Sequence, residues 1–375
     1  EEALASHEAA AACEPHSSTA HHGRGNSLRI LRRFSEAIAA YDEALRLDAG
    51  NAAAHCDRAN ALLDAGRYAE AAASFDRALA IVPAHAAALN NRGRALQALN
   101  RHAEAIASFD KAAPAGQQHA DARATRDLSL LTLGDLARGF AQYEWRWQRT
   151  GIRDARRGYG KPLWLGEYPL GRKTILLHAE QGLGDTIQFA RFAPLLARGG
   201  ATVVLEVQPE LKDLLSGPGG IASCHARGET LPGYDVHCPL GSLPLALKTE
   251  PPTIPADIPY LRADDARIEK WRPRIDALPG KRIALAWAGN VSHANDLNRS
   301  IALQLLEPLL TIEGLSFLSI QRELRGGDAE LLARHANVSH LGGDLADMAD
   351  TAALLALADL TISVDTSVVH LAGGS

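Results

Sequence analysis

Phe34-Ser35-Glu36-Ala37-Ile38-Ala39-Ala40-Tyr41, Tyr68-Ala69-Glu70-Ala71-Ala72-Ala73-Ser74-Phe75 and His102-Ala103-Glu104-Ala105-Ile106-Ala107-Ser108-Phe109 are variants of one segment set 34 residues apart. The same interval relates Gly25, Ala59 and Gly93, and also Leu28, Leu62, Leu96 and Leu130. Tyr143 extends the column of Tyr41, Phe75 and Phe109. Small residues at one fixed point, with Leu or aromatics at others, let two antiparallel helices approach closely and stack on the next pair. A helix pair of this kind cannot bury its apolar face alone, so the period implies a solenoid in which each unit covers its neighbour.

Period and pattern together are the signature of tetratricopeptide repeats. Residues 25–51, 52–85, 86–119 and 120–150 read as four of them, a repeat domain over 25–150. Pro83 falls at a repeat boundary, where a helix should end. The fourth repeat is degenerate, with Leu136 and Gly139 in the aromatic and Ala slots, and it ends in Tyr143-Glu144-Trp145-Arg146-Trp147. The Trp pair is expected to pack against the next domain, with stacking on a sugar or a base as the alternative. Residues 1–24 form a poorly patterned lead, either a degraded repeat or a disordered segment. His16, His21 and His22 lie in it without a second ligand group at helical spacing.

With 375 residues, the chain has room for two or three domains. Hydrophobic residues make up 46% and charged residues 22%, an ordinary composition for a chain with full cores. The formal net charge of −5 argues against nonspecific attraction to nucleic acid or anionic lipid. Cys13, Cys56, Cys224 and Cys238 form no C-x-x-C pair and no metal-ligand spacing, so reduced, cytosolic thiols and a cytoplasmic protein are expected. No apolar run approaches the roughly 20 residues that span a bilayer. The N-terminus has no secretory pattern. The chain begins with Glu rather than Met and stops at Ser375, which suggests truncation at both ends.

After a Gly-, Pro- and Arg-rich connector over 151–172 the period changes. Short β-branched runs appear at Thr174–His178, Thr202–Val207, Tyr234–Cys238, Arg282–Trp287, Ser316–Gln321, Val338–Leu341 and Leu360–Val364. Helical spacing lies between them. Alternation of this kind indicates parallel sheets built from right-handed crossovers. The Pro-rich segment 250–259 and Leu278-Pro279-Gly280 divide the region into two Rossmann-like halves, 173–262 and 263–375, facing each other across a cleft.

Ligands of open α/β sheets bind beyond the carboxyl ends of the strands, and three loops there carry suggestive residues. In His178-Ala179-Glu180-Gln181-Gly182-Leu183-Gly184-Asp185, Gly182 and Gly184 allow a tight turn and close approach of a ligand. Asp185 reads either as a helix cap or as a carboxylate at a cleft floor that takes a proton from an acceptor hydroxyl. Against the second reading, a helix N-terminus favours the ionised carboxylate and lowers its basicity, so burial must offset it. In the second loop, Trp287-Ala288-Gly289-Asn290 running to Asn298-Arg299-Ser300, Gly289 permits close approach. Arg299 suits a diphosphate or else a local ion pair. In the third, Asp365-Thr366-Ser367-Val368-Val369-His370, hydroxyls and N–H groups at a helix N-terminus make an anion site. His370 is either a ligand contact or a buried, satisfied histidine.

The stretches His178–Arg191 and Ile362–Ala372 resemble the two most recognisable motifs of the bacterial heptosyltransferases of lipopolysaccharide synthesis. These are a Gly-Asp at the start of the first helix, and an Asp-Thr with three residues before His-Leu-Ala. Repeats ahead of such a domain resemble bacterial repeat-containing glycosyltransferase-like proteins and, more loosely, the O-linked N-acetylglucosamine transferases. From residue 25 onward the resemblance covers nearly the whole chain. It implies an α-helical tetratricopeptide solenoid followed by an α/β GT-B fold, with acceptor on the first half and nucleotide-sugar on the second. Gly184-Asp185 matches the Gly-Asp whose carboxylate is the base. Arg299 stands where a basic residue contacts donor phosphates, and Asp365, Thr366 and His370 match the donor-binding Asp-Thr and its His. Ser367 replaces a family glycine and narrows the space beside a diphosphate. The family domain runs past Ser375, which implies that the second half is incomplete here.

The function implied is metal-independent glycosyl transfer from a nucleotide-sugar to a protein or glycan acceptor, with no Asp-x-Asp motif to hold a metal. Asp185 is the expected base, with His178 and Glu180 as second choices at the same strand end. Gly182, Gly184, Gly289, Arg299, Asp365, Thr366, Ser367 and His370 form the donor side. The rival reading is a non-catalytic repeat scaffold with a degenerate transferase-like domain. Asp57, Asn91 and Thr125 occupy one inward-facing column of the repeats. Peptide-gripping transferases place asparagines down such a column, and only Asn91 matches. A Rossmann oxidoreductase is disfavoured, since neither half shows the full glycine fingerprint.

Overall fold

The computed structural model describes residues 1–112, 120–148, 158–217, 219–292 and 296–375. Expectations for the end of the third repeat, the connector before residue 158 and the Asn298 side chain lie outside the described residues. The chain divides into two compact units, Glu1–Arg156 and Arg157–Ser375.

Among its described residues the first unit has helices and no strand: α1 Glu2–Cys13, α2 Ser18–Ile30, α3 Phe34–Leu47, α4 Ala52–Asp64, α5 Tyr68–Ile81, α6 Ala86–Ala98, α7 His102–Ala112, α8 Ala120–Thr132 and α9 Leu136–Tyr143. The first helices of successive pairs start at Ser18, Ala52, Ala86 and Ala120, so the repeat is kept without slippage. Ser17, Asn51 and His85 cap three of them, each accepting from the N–H three residues on. The small-residue column sets the approach within a pair. A Cβ on Gly25 would lie 2.5 Å from the Tyr41 ring, and one on Gly93 2.5 Å from the Phe109 ring. Tyr41, Phe75 and Phe109 are all buried, as are Leu28, Leu62, Leu96 and Leu130.

Of the two alternatives for residues 1–24, the helices Glu2–Cys13 and Ser18–Ile30 fit a degraded repeat rather than a disordered segment, and the helix that carries Gly25 starts at Ser18. Moreover, α1 stands 34 residues ahead of α3, which puts His7 in the aromatic column; its ring Nδ1 lies 3.0 Å from Ser27 Oγ. The repeat also runs through the charges. Arg58–Asp42, Arg92–Asp76 and Arg126–Asp110 each pair at 2.6 Å between neighbouring repeats. Within the second helices Arg33–Glu36, Arg67–Glu70 and Arg101–Glu104 recur, and Asp135–Arg138 repeats the pair with its charges exchanged. Exposed pairs of this kind contribute little each, so they mark register more than they hold the fold.

The second unit holds two parallel sheets. The first contains β1 Thr174–His178, β2 Thr202–Val207, β3 Ile221–Ala226 and β4 Val236–Pro239, in the order β3-β2-β1-β4. The second contains β5 Lys281–Ala286, β6 Leu315–Ser319, β7 Val338–His340 and β8 Leu360–Ser363, in the order β7-β6-β5-β8. The helices in chain order are α10 Leu183–Ala190, α11 Ala193–Arg198, α12 Lys212–Leu215, α13 Leu243–Ala246, α14 Asp265–Asp276, α15 Asp296–Arg299, α16 Leu303–Leu310, α17 Asp328–Ala333, α18 Met348–Leu357 and α19 Ser367–Gly374. All seven expected strands are present within two residues of their expected bounds. The unexpected one is β3, Ile-Ala-Ser-Cys-His-Ala in sequence, a half-exposed edge strand with one β-branched residue. The later part of the expected connector belongs to this unit: Leu163 bridges His237 in parallel, and Trp164 and Leu170 join the core. Identical strand orders give each sheet a switch point, between β1 and β4 and between β5 and β8, where a crevice opens at the carboxyl ends.

Candidate functional site

Both switch-point loops end in helices that meet. The β1–α10 loop and the β8–α19 turn bring Gly184 against His370, with room for no side chain at residue 184: a Cβ there would lie 2.8 Å from His370 Cδ2 and 3.5 Å from Ser367 Cα. Gly184 therefore works as a packing residue between the two halves rather than as an opening for ligand. Gly182 has φ −70°, an ordinary value for any residue, and its N–H donates to Asp185 Oδ2 at 3.2 Å.

Asp185 is both a cap and a partly buried acid. Burial pushes its carboxyl above the usual carboxylate range, against the Gly182 N–H and the nearby His370 and Arg299, which pull it down. The desolvation needed to outweigh the helix terminus is thus present. The two second-choice bases are engaged elsewhere. His178 is 4% exposed, stacks on Tyr159 with ring centroids 4.1 Å apart, and its Nε2 lies 3.1 Å from His237 Nδ1. His178, a second-choice base by its place at the strand end, thus lies buried in the first sheet's interior. Glu180 Oε1 accepts the Gly241 N–H at 3.2 Å, which ties it to the turn after β4.

On the second half, Arg299 Nε donates to Asp365 Oδ2 at 3.0 Å, and its Nη2 to the Asp365 carbonyl. Of the two alternatives for Arg299, the local ion pair is the one present, with Asp365 as its partner. Thr366 caps α19 without a side-chain cap hydrogen bond, its hydroxyl 3.3 Å from Ser363 Oγ, and Ser367 opens the helix. Gly289 has ordinary space around it: a Cβ there would lie 3.7 Å from Thr366 Cγ2. Its N–H donates to Ser300 Oγ at 3.0 Å.

Sequence reasoning missed the clamp under this loop. Arg325 Nη2 bridges both Asp296 oxygens at 2.8 and 2.7 Å and the Ser300 hydroxyl at 3.0 Å. Gln321 accepts from the N–H groups of Trp287 and Ala288, while Trp287 Nε1 donates to the buried Asp328 at 3.0 Å. These contacts span 25 to 41 residues of sequence, so no local pattern announces them.

In the repeats, the inward column is cross-linked from pair to pair. Asp57 Oδ2 meets His22 Nε2 at 2.8 Å, Asn91 Nδ2 donates to Asn60 Oδ1 at 2.9 Å, and Gln97 Nε2 donates to the Thr125 carbonyl at 2.6 Å. Thr125 therefore contributes backbone here. Among the described residues no group of three or more His, Cys, Asp or Glu side chains is placed to hold a metal ion, and no helix is long and apolar enough to cross a membrane.

The family models that match this chain lie within the helical unit. Residues 25–66 match the family described as TPR repeat, and residues 56–120 the one described as Tetratricopeptide repeat. Protein FlbA of Caulobacter vibrioides is 27% identical over 270 residues, 64% of this chain and 44% of that protein. The chain thus spans less than half the length of this relative. YrrB, described as a TPR protein with an unusual peptide-binding site, is 21% identical over 39% of this chain and 75% of its own, with a TM-score of 0.36. MamA is 15% identical over 41% of this chain and 90% of its own, with a TM-score of 0.38. By repeat length, helix pairing and family match, residues 25–120 are tetratricopeptide repeats, and the helical unit is a tetratricopeptide solenoid followed by a two-sheet parallel α/β unit.

Proposed function

We propose that the α/β unit is a glycosyltransferase of the GT-B kind, using a nucleotide-sugar without a metal, and that the repeats dock the acceptor or a partner protein. One observation carries the reading: a half-buried carboxyl with raised pKa, Asp185, stands at the junction where the first half's leading loop meets the second half's Asp365–His370 turn. In this reaction Asp185 takes the acceptor hydroxyl's proton as its oxygen bonds to the sugar's anomeric carbon. The bond from that carbon to the diphosphate breaks, and the electron pair leaves on the diphosphate. Arg299, released from Asp365, would meet that charge together with Thr366, Ser367 and the α19 N-terminus. Peptide recognition by the repeats fits YrrB and the first TPR of Spaghetti (RPAP3) bound to an HSP90 peptide, and the polar column around Asp57 and Asn91 offers groups that can grip backbone.

The scaffold reading has an observation of its own: Arg299 and Arg325 each already hold a carboxylate partner, as in a site that binds nothing. Thermal denaturation in the presence of UDP, GDP, ADP, CMP and their sugar conjugates separates the two. A ligand at 100-fold over its Kd adds about 2.7 kcal/mol. A shift with one nucleotide that disappears in Arg299→Ala or Thr366→Ala supports the transferase. Indifference to all of them leaves the scaffold.

A further inference from the structure

We infer that the two halves of the α/β unit are one folding and mechanical body, so that the loops meeting at Gly184 and His370 are held at working distance before any ligand arrives. The inference rests on how the halves are joined and is independent of any activity.

Helix α18 is the first observation. A helix lying on one sheet shows one wet face, yet in Met348–Leu357 every residue but Ala356 is buried. Its other sides pack on α14 of its own half and on the Pro209–Leu211 turn and α12 of the first half. Accordingly Leu211, Leu214 and Leu215 share a single core with Met348, Ala352 and Leu355, and that core takes in one face of each sheet, with Leu205 on one and Leu318 on the other.

Polar contacts close the same joint. Arg267 of α14 reaches Asp213 in the first half at 2.7 Å, and Asp347 and Asp350 in the second at 2.9 and 3.0 Å. At the far end, the Gly374 carbonyl of α19 accepts the N–H groups of Tyr260 and Leu261, while the Tyr260 hydroxyl donates to the Ile187 carbonyl of α10 at 3.3 Å. Joints between domains that move are polar and loosely packed. A close-packed apolar joint resists sliding, because any displacement opens voids. Opening this one would expose the side of α18 that packs on the Pro209–Leu211 turn and α12.

Native-state hydrogen exchange tests the inference. Leu205→Ala truncates the core in β2 and Leu318→Ala in β6. In one body, either substitution lowers protection of the slowest amides in both sheets by the same factor, about 30-fold or more. A fall confined to the sheet carrying the substitution overturns the inference. Should either alanine variant fail to fold, Leu205→Val and Leu318→Val give the same comparison with a smaller drop. Spin labels at the exposed positions Arg172→Cys and Glu330→Cys, in a Cys13→Ser, Cys224→Ser background, supply the mechanical readout. One narrow distance distribution in the ligand-free protein supports a single body, and two populations overturn it.

Discussion

Gly184 and His370, 186 positions apart in sequence, approach so closely that a methyl group on residue 184 would lie 2.8 Å from the imidazole Cδ2. Gly184→Ala should therefore destabilise the α/β unit by about 1–3 kcal/mol, the range for overpacking. His370→Ala in the same chain removes the obstructing ring and should restore at least half of the loss. Urea unfolding of both single variants and the double variant checks this. If the double variant is no more stable than Gly184→Ala, the ring is not what excludes the methyl.

The column Gly25, Ala59 and Gly93 gives a prediction for the solenoid. A Cβ at Gly93 would meet the Phe109 ring at 2.5 Å, so Gly93→Val should cost about 1–3 kcal/mol despite valine's better helix propensity. Ala59→Gly relieves no clash and should cost about 1 kcal/mol through backbone freedom alone. Thermal melts followed by far-ultraviolet circular dichroism rank the two.

Asp350 is fully buried, and although burial pushes its carboxyl up, hydrogen bonds from Ala346 N–H, Arg267, Trp271 and Lys270 hold it at about 2. Its folded pKa is thus depressed, so its stabilisation is present above the unfolded value of about 4 and is lost as pH falls toward 2. The span corresponds to about 2 kcal/mol. Asp350→Asn should remove this part of the acid sensitivity while costing about 1–3 kcal/mol at neutral pH, because Lys270 loses its carboxylate partner and Arg267 keeps only Asp213 and Asp347. Stability measured between pH 2 and pH 7 in both proteins gives the comparison.

Asp185 has the opposite sign. Its folded pKa is raised, so the folded protein binds this proton more tightly than the unfolded chain does, and stability falls as pH rises through the raised value. Asp185→Asn should therefore leave the protein more stable at neutral pH while lowering sugar transfer about 10²–10⁴-fold. The acid limb of the rate profile should lie above the ordinary carboxylate range. Unchanged transfer in this variant removes Asp185 from the mechanism.

The sequence was most legible where structure is local and periodic. Helix pairing followed from the spacing of Gly25, Leu28, Ala37 and Tyr41, since the partners lie within one 34-residue unit. The register of α1 was hidden because His7 fills an aromatic slot and no glycine or leucine column reaches it. In the α/β unit, the short strand-like runs marked every strand but β3, whose half-exposed edge position makes little demand on composition. Of the candidate site, Asp185, Arg299 and the Asp365–His370 turn were visible: Asp185 and the turn sit at strand-to-helix boundaries, and Arg299 ends the short helix α15 in the connection after β5. Arg325, Gln321 and Asp328 were not, since nothing in their own neighbourhood separates a clamp from a solvated side chain.

By itself the sequence determined the repeat, the alternation of strand and helix, and the loops that end at the carboxyl edges of the sheets, because hydrophobic period and turn chemistry act over a few residues. Only the tertiary structure decided which side chains are partners. It turned Gly184 from a ligand opening into a packing contact, withdrew His178 into a stack with Tyr159, gave Arg299 to Asp365, and pushed the Asp185 carboxyl upward. Burial and long-range contact set these roles, and both depend on which distant segments the chain brings together.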